Sequence, residues 1–213
     1  MDLDLSAYEV LTTTRSVRKR LDFDRPVERR IVMECLDVAL QAPTGSNSQG
    51  WQWMFIEDQA KKQASAEIYA ANFFEYANSP RTPYPDDDPR AGRAAAVAAS
   101  ATYLAEHMAE APILLIPCLA GRPDGHASSA GYWGSILPAV WSFMLALRAR
   151  GMGSAWTSLH LPNGGEQRTA ELLGIPYDHY SQAGLFPIAY TKGTDFKLAS
   201  RIPAAELSHW DTW

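Results

Sequence analysis

An unbroken apolar run near the middle of the chain sets the first limit on its fold. Residues 113–119 read ILLIPCL, with no polar side chain to face water on either side. A strand with two apolar faces is typical of a sheet that is covered on both sides. Because helical patterns precede and follow this run, we expect a sheet wrapped in helices.

Three further strand-like segments alternate with helical patterns along the chain. The strands are predicted at residues 53–56, within RGMGSAWTS at 150–158 and within AGLFPIAYT at 183–191. The second helix has apolar residues at steps of three and four (Ile31, Cys35, Val38), and Pro43 ends it because proline lacks an amide hydrogen. The helices are predicted at residues 6–13, 27–41, 60–76, 94–111, 130–150 and 166–173, with a proline- and aspartate-rich loop at 78–93. This order predicts an α/β or α+β class with a single domain over residues 1–213.

Composition argues against several functional classes. The 213 residues carry 24 acidic and 19 basic side chains, for a net charge of −5. A net acidic chain has no overall attraction for nucleic acid or for an anionic membrane, so we expect neither partner. The two cysteines, Cys35 and Cys118, lack the spacing of a redox pair or a zinc site, and no histidines are paired at ligand spacing, so we expect no metal.

The sequence leads us to expect neither a signal peptide nor a membrane-spanning helix. The opening MDLDLSAYEV has acids where a signal peptide has cationic and apolar blocks. The longest membrane-like stretch, Trp133–Leu147, is shorter than the roughly 20 residues that a membrane-spanning helix needs. These features predict a cytoplasmic location.

A basic cluster follows the first predicted helix. In TRSVRKR, at residues 14–20, Arg15 and Arg18 flank Ser16. Such a cluster is often only a solvated helix end. Alternatively it binds an anion, since a guanidinium matches the geometry of phosphate oxygens and a serine hydroxyl adds a short donor. The residues alone leave both interpretations open.

A second unusual segment reads PTGSNSQGWQW at residues 43–53. Small and amide residues are common in turns for conformational reasons, so a plain polar turn is one interpretation. The density of amides favours another, because Asn47 and Gln49 each carry a donor and an acceptor that can pair with the edge of a flat heterocycle. Pro43–Ser46 would then run along the face of the ring, where small residues let the backbone approach closely.

Four segments, in order along the chain, resemble the FMN-dependent nitroreductase family. They are TRSVRKR at 14–20, APTGSNSQGWQW at 42–53, RGMGSAWTS at 150–158 and KLASRIPAAELSHWDTW at 197–213. The chain departs from the family pattern at Thr14, where arginine is usual, and at Gly50, where proline is usual. Leu159 and His160 stand where glycine or an acid is common.

The resemblance implies an α+β fold with a central, mostly antiparallel sheet flanked by helices. It also implies an intertwined homodimer that holds FMN at its interface, with some contacts from each chain. A C-terminal extension, about residues 196–213, would pack on the partner chain. The implied FMN contacts are Arg15, Ser16, Arg18, Pro43, Thr44, Ser46, Asn47, Gln49, Thr157, Ser158, Lys197 and Arg201.

The implied activity is hydride transfer from NADH or NADPH, through flavin N5, to a nitroaromatic, quinone or enone acceptor with ping-pong kinetics. No catalytic side chain is required, because the flavin carries the chemistry. The side chains expected near the substrate are His160, Phe73, Phe74 and Tyr84. Two alternatives stay open: a non-catalytic FMN storage or sensor protein, and a flavin-fragmenting or reductively dehalogenating enzyme. The choice between NADH and NADPH also stays open.

Overall fold

The computed structural model describes residues 2–80, 82–85, 88, 90–125 and 128–213. Its α-helices are α1 (Ala7–Thr13), α2 (Arg29–Ala39), α3 (Gln59–Asn78), α4 (Ala91–His107), α5 (Ser129–Gly134), α6 (Leu137–Ala149) and α7 (Gly165–Leu173). Its strands are β1 (Leu21–Asp22), β2 (Trp51–Ile56), β3 (Ile113–Ala120), β4 (Met152–Gly153), β5 (Tyr180–Gln182) and β6 (Phe186–Thr191). Single 3-10 turns lie at Gly45–Asn47, Met108–Glu110, Pro123–Gly125 and Ala204–Leu207.

The described strands form one sheet in which every strand pair is antiparallel. The main order is β1-β6-β3-β2, with β4 added to β6 and β5 added to β3. Strand β3 is central, since Leu119 pairs with Trp51 of β2 and Ile113 pairs with Ile188 of β6. The predicted α+β class with an antiparallel sheet is confirmed.

The side chains of β3 alternate between two cores. Ile113 and Leu115 pack on one face with α2 and α6, where Phe143 is almost fully buried. Leu114 and Ile116 pack on the other face with α3 and α4. Because successive strand side chains point to opposite faces, a strand that is apolar at every position requires a helical layer on each side.

Several predicted boundaries change in the structure. The helix expected at 130–150 is divided into α5 and α6, and Pro138 lies in the first turn of α6, where its missing amide hydrogen costs no helical bond. Strands β1 and β5 were not predicted, because segments of two and three residues are too short to show an alternation of apolar and polar side chains. The loop predicted at 78–93 includes Arg81, Asp86, Asp87 and Pro89, which lie outside the described residues.

One helical stretch of the described residues, Ser129–Ala149, is long and apolar enough to cross a membrane by length and composition alone. The core helix of a protein in water meets the same criterion. Here the stretch is interrupted before Leu137, and Phe143, Met144 and Leu147 are buried in the core beside α2. This packing favours a core helix.

Candidate functional site

A cavity of about 650 Å³ opens between α3, α4 and residues 200–202 of the C-terminal segment. Its volume lies in the range of about 300–1,000 Å³ that is typical of small-molecule pockets. Aromatic side chains form much of the wall, among them Tyr69, Phe73, Tyr84 and Trp156. A flat ring system would suit such a wall.

The cavity concentrates positive charge in a chain whose net charge is −5. Arg18, Arg90, Arg93 and Arg201 line it, and none of the described lining residues is acidic. Three of these arginines have no ion pair with any described residue. Arg90 is the exception: its Nε lies 2.9 Å from Oδ1 of Asp88 and its Nη2 lies 2.5 Å from Oδ2. These hydrogen bonds from Arg90 lower the pKa of the Asp88 carboxyl to about 2.

Backbone bonds to the segment after β4 hold Arg18 at the cavity. Ser16 forms an isolated parallel bridge with Ser154, and the Val17 amide donates to the Ser154 carbonyl at 2.8 Å. Gly153 makes the close approach feasible, because a Cβ there would stand 2.9 Å from a methyl of Val17. The basic segment is therefore fixed by main-chain bonds before any ligand arrives.

The segment at 157–158 is fixed by the sheet as well. Thr157 donates its amide to the Leu185 carbonyl at 3.2 Å and accepts the Leu185 amide at 2.8 Å. The amide of Ser158 has no partner among the described hydrogen bonds, and Ser158 is exposed. Of the two residues expected to offer backbone groups to a ring, Thr157 lines the cavity, while Ser158 keeps the free N–H.

Arg15 and Lys197 join the N-terminal segment to the C-terminal one. The Arg15 guanidinium donates to the carbonyls of Thr14 at 2.6 Å and Thr12 at 2.7 Å, and also to the carbonyl of Lys197. Burial, with a smaller contribution from nearby Arg201, lowers the pKa of Arg15. Neither Arg15 nor Lys197 lines the cavity. The Arg15 side chain instead links the N-terminal and C-terminal segments through its hydrogen bonds.

The polar segment 43–49 lies apart from this cavity. It is anchored through Ser135, whose Oγ accepts the Gly45 amide at 3.2 Å and whose carbonyl accepts the Trp51 indole N–H at 2.5 Å. Ser46, Asn47 and Gln49 have positive φ angles of 53°, 52° and 48°. Residues other than glycine uncommonly adopt this left-handed backbone, although asparagine does so more readily than most, and strained backbone of this kind clusters at functional sites.

The lining of this cavity includes none of Pro43, Thr44, Ser46, Asn47 and Gln49. The described hydrogen bonds of their side chains do not reach Arg18 or Arg201. The segment is almost wholly exposed. The sequence predicts that it and the basic cluster serve one ligand, but a single chain does not bring them together.

The sequence model of the Nitroreductase family matches residues 11–190. The chain belongs to the nitroreductase family. The matched region contains the basic cluster, the polar segment, the whole sheet except Thr191, and the segment at 157–158. No curated protein shows significant sequence similarity to this family member.

Solved structures share the whole fold at low sequence identity. The FMN- and NADPH-dependent nitroreductase NfnB of Sphigopyxis sp. strain HMH is 22% identical with a TM-score of 0.71, over 98% of this chain and 100% of that one. Oxidized iodotyrosine deiodinase bound to FMN and 3-iodo-L-tyrosine is 20% identical with a TM-score of 0.72, over 97% and 99%. A BluB-like flavoprotein of Clostridium difficile 630 is 14% identical with a TM-score of 0.70, over 98% and 100%.

The structure corrects the expectation that His160 faces the substrate. The imidazole is 0% exposed and does not line the cavity. Its Nε2 lies 3.1 Å from Oε1 of Gln182, whose amide groups are in turn bonded to Glu166. Its buried Nδ1 has no hydrogen-bond partner among the described residues. Burial lowers the pKa of His160 to about 4, against a smaller upward effect of the Gln182 hydrogen bond. His160 is therefore a neutral, buried packing residue in this member of the family.

The aromatic residues expected near the substrate divide between the cavity and its surroundings. Phe73 and Tyr84 line the cavity, with exposed fractions of 4% and 46%, whereas Phe74, which is 39% exposed, is not a lining residue. Tyr69 also lines it, and burial raises the pKa of its phenol, against a smaller downward effect of a hydrogen bond with Thr157.

Arg148 is a buried cation that sequence reasoning did not identify. It is 5% exposed in the last turn of the apolar helix α6, and it donates to Thr13 Oγ1 and the Thr194 carbonyl. Burial, followed by the nearby charges of Arg20 and Arg15, lowers the pKa of Arg148. The only available signal was an arginine in an otherwise apolar helix.

The described residues contain no cluster of three or more His, Cys, Asp or Glu that could hold a metal ion.

Proposed function

We propose that this nitroreductase family member is an FMN-dependent oxidoreductase of the cytoplasm. It takes electrons from NADH or NADPH and reduces a small-molecule acceptor of the nitroaromatic, quinone or enone type. One observation carries the proposal: Arg18, Thr157 and Arg201, implied as flavin contacts from three distant segments, line the same cavity. The names of two structural neighbours, an FMN- and NADPH-dependent nitroreductase and an FMN-bound deiodinase, support the choice of cofactor.

The residues of the cavity fit the chemistry of FMN. A phosphate group that loses water needs cationic partners, since an unpaired buried charge costs several kcal/mol. Arg18 and Arg201 lack ion pairs with described residues and are available for that role. Trp156, which is partly exposed, offers apolar surface to a ring, with buried Tyr69 packed in the same wall.

FMN, when bound, supplies the hydride transfer between donor and acceptor. The chain contributes by positioning the cofactor and by supplying an electrostatic field at its ring. The Arg18 guanidinium places positive charge at the cavity wall, and the free amide of Ser158 can donate to an acceptor atom of the ring. Donors fixed in advance stabilise a developing negative charge without reorganisation during the reaction.

We also propose that the working unit is a homodimer whose partner chain completes the site. The C-terminal segment exposes Leu198, Leu207, Trp210 and Trp213, the last two at 87% and 101%. Burying apolar surface contributes about 25 cal/mol per Å², so these side chains favour a partner surface. A second copy would cover the tail and bring its own segment 43–49 to the cavity of the first. Sedimentation equilibrium tests this, and a monomer at micromolar concentration in the presence of FMN would refute it.

The decisive test of the activity is spectroscopic. The purified protein is titrated with FMN, and the complex is then mixed with NADPH or NADH without oxygen. Bleaching of the oxidised flavin bands by at least one donor, followed by their return on addition of a nitroaromatic or quinone, is expected. Saturable FMN binding with no bleaching by either donor would instead indicate a storage or sensor protein.

A further inference from the structure

We propose that Arg93 recognises an anionic group on the ligand that lies against the aromatic wall of the cavity. The inference rests on the proposed function and gives the ligand a chemical class: a flat ring system that carries a carboxylate or phosphate. Such a group belongs either to an acidic acceptor or to the 2′-phosphate of NADPH, and the two sources are separable by experiment.

Arg90, the arginine nearest to Arg93 in the sequence, is already engaged in an ion pair, which leaves Arg93 as the cation available to a ligand on this side of the cavity. Arg90 is held in a two-point ion pair with Asp88, and its guanidinium lies 4.4 Å from the centroid of the Tyr84 ring. Its charge is therefore compensated and its position fixed. Arg93 follows three residues later on α4, lines the same cavity and has no ion pair with any described residue.

The two remaining cavity arginines have other assignments. Arg18 is held at the N-terminal segment and Arg201 at the C-terminal one, where the proposed function places the flavin. Arg93 lies instead on α4, together with lining residues Val97 and Ala101. A ligand stacked between α3 and α4 would thus meet one guanidinium that has no ion pair with a described residue, on a wall that is otherwise apolar and aromatic.

The aromatic wall of the cavity favours a ligand with a planar ring. Tyr69 and Phe73 stack with centroids 5.9 Å apart and are 2% and 4% exposed, so their positions are set by packing in the core. A guanidinium binds carboxylate or phosphate oxygens through two parallel N–H groups. An aromatic wall beside one guanidinium that has no described ion pair selects for a planar ligand with one acidic substituent.

The test uses two ligands that share a nitrophenyl ring and differ in charge, 4-nitrobenzoate and 4-nitrobenzyl alcohol. Their binding to the protein as purified is measured by titration calorimetry, which needs no turnover. Arg93→Gln is expected to weaken 4-nitrobenzoate about tenfold, the effect of losing one charge-assisted hydrogen bond, and to leave the alcohol within about twofold. Arg93→Lys, which keeps the charge, should restore part of the loss. Arg168→Gln removes an exposed arginine of α7 outside the cavity and should change neither ligand.

A second arm identifies the source of the anion. In ping-pong kinetics the kcat/KM of the donor is measured independently of the acceptor. If Arg93→Gln lowers kcat/KM for NADPH and not for NADH, the anion is the 2′-phosphate; if it lowers only the preference for nitrobenzoate, the anion belongs to the acceptor. The role of Arg93 is overturned if the wild-type protein prefers neither 4-nitrobenzoate over the alcohol nor NADPH over NADH. It is also overturned if Arg93→Gln keeps every preference that the wild-type protein shows. Selective binding of 4-nitrobenzoate without nicotinamide oxidation would refute the proposed activity and leave the anion site standing.

Discussion

Replacing Arg201 with alanine tests whether the C-terminal segment binds the phosphate of FMN. Among the described residues, the guanidinium of Arg201 bonds only to the carbonyl of its neighbour Ser200, at 3.0 Å, so it is free to receive an anion. A charge-assisted hydrogen bond contributes about 1.5–3 kcal/mol when desolvated and much less when exposed. Because Arg201 is exposed in the single chain and would be partly covered by ligand, a loss of about 1–2 kcal/mol is expected. This loss corresponds to a dissociation constant about five- to thirtyfold higher.

Arg90 supplies a matched control in the same cavity. It is also an arginine at the wall, but its donors are engaged by Asp88, so Arg90→Ala should change FMN affinity by about twofold or less. The assay is quenching of FMN fluorescence during titration of the apoprotein, at two salt concentrations. The Arg201 contribution should shrink at high salt, since ions screen exposed charges. Equal dissociation constants for the two variants would refute the assignment of the phosphate.

Three further changes test the link between fold and site. Gly153→Ala should destabilise the protein by about 1–3 kcal/mol in urea unfolding and weaken FMN binding, because the new methyl would stand within 3.0 Å of side chains on two neighbouring segments. Gly134→Ala is the control: its methyl meets nothing within 4 Å, so it should not weaken FMN binding. The pKa of His160 is about 4 in the folded protein and about 6.5 in the unfolded chain, so the unfolded chain binds more protons between these values and the protein loses stability as the pH is lowered through that window. The imidazole accounts for a loss of about 2 kcal/mol between pH 7 and pH 5, which His160→Gln should remove; the same pH dependence in both proteins would contradict the burial. Changing Trp210 and Trp213 to serine should raise the dimer dissociation constant measured by sedimentation, and an unchanged value would count against a role of the tail in assembly.

The fold was largely predictable from the chain, because its strongest signals are local. The continuous apolar run of β3 requires cover on two faces, and the structure supplies it with α2 and α6 on one side and α3 and α4 on the other. The helix of residues 29–39 follows from apolar residues at helical spacing. Strands β1 and β5 were missed because each is held by pairing to β6 or β3 and not by its own residues.

The site was predictable only as a set of residue types. Sequence patterns indicated which arginines, amides and hydroxyls to consider, since the side chains determine which anions and rings can be bound. Tertiary structure decided which of them meet: Arg18, Thr157 and Arg201 converge at one cavity, while Asn47 and its neighbours are held elsewhere through Ser135. It also decided their state, because burial makes His160 neutral and an ion pair occupies Arg90. Spacing along a chain carries no information about burial or about long-range partners, and these two properties determine whether a polar side chain is free to bind a ligand.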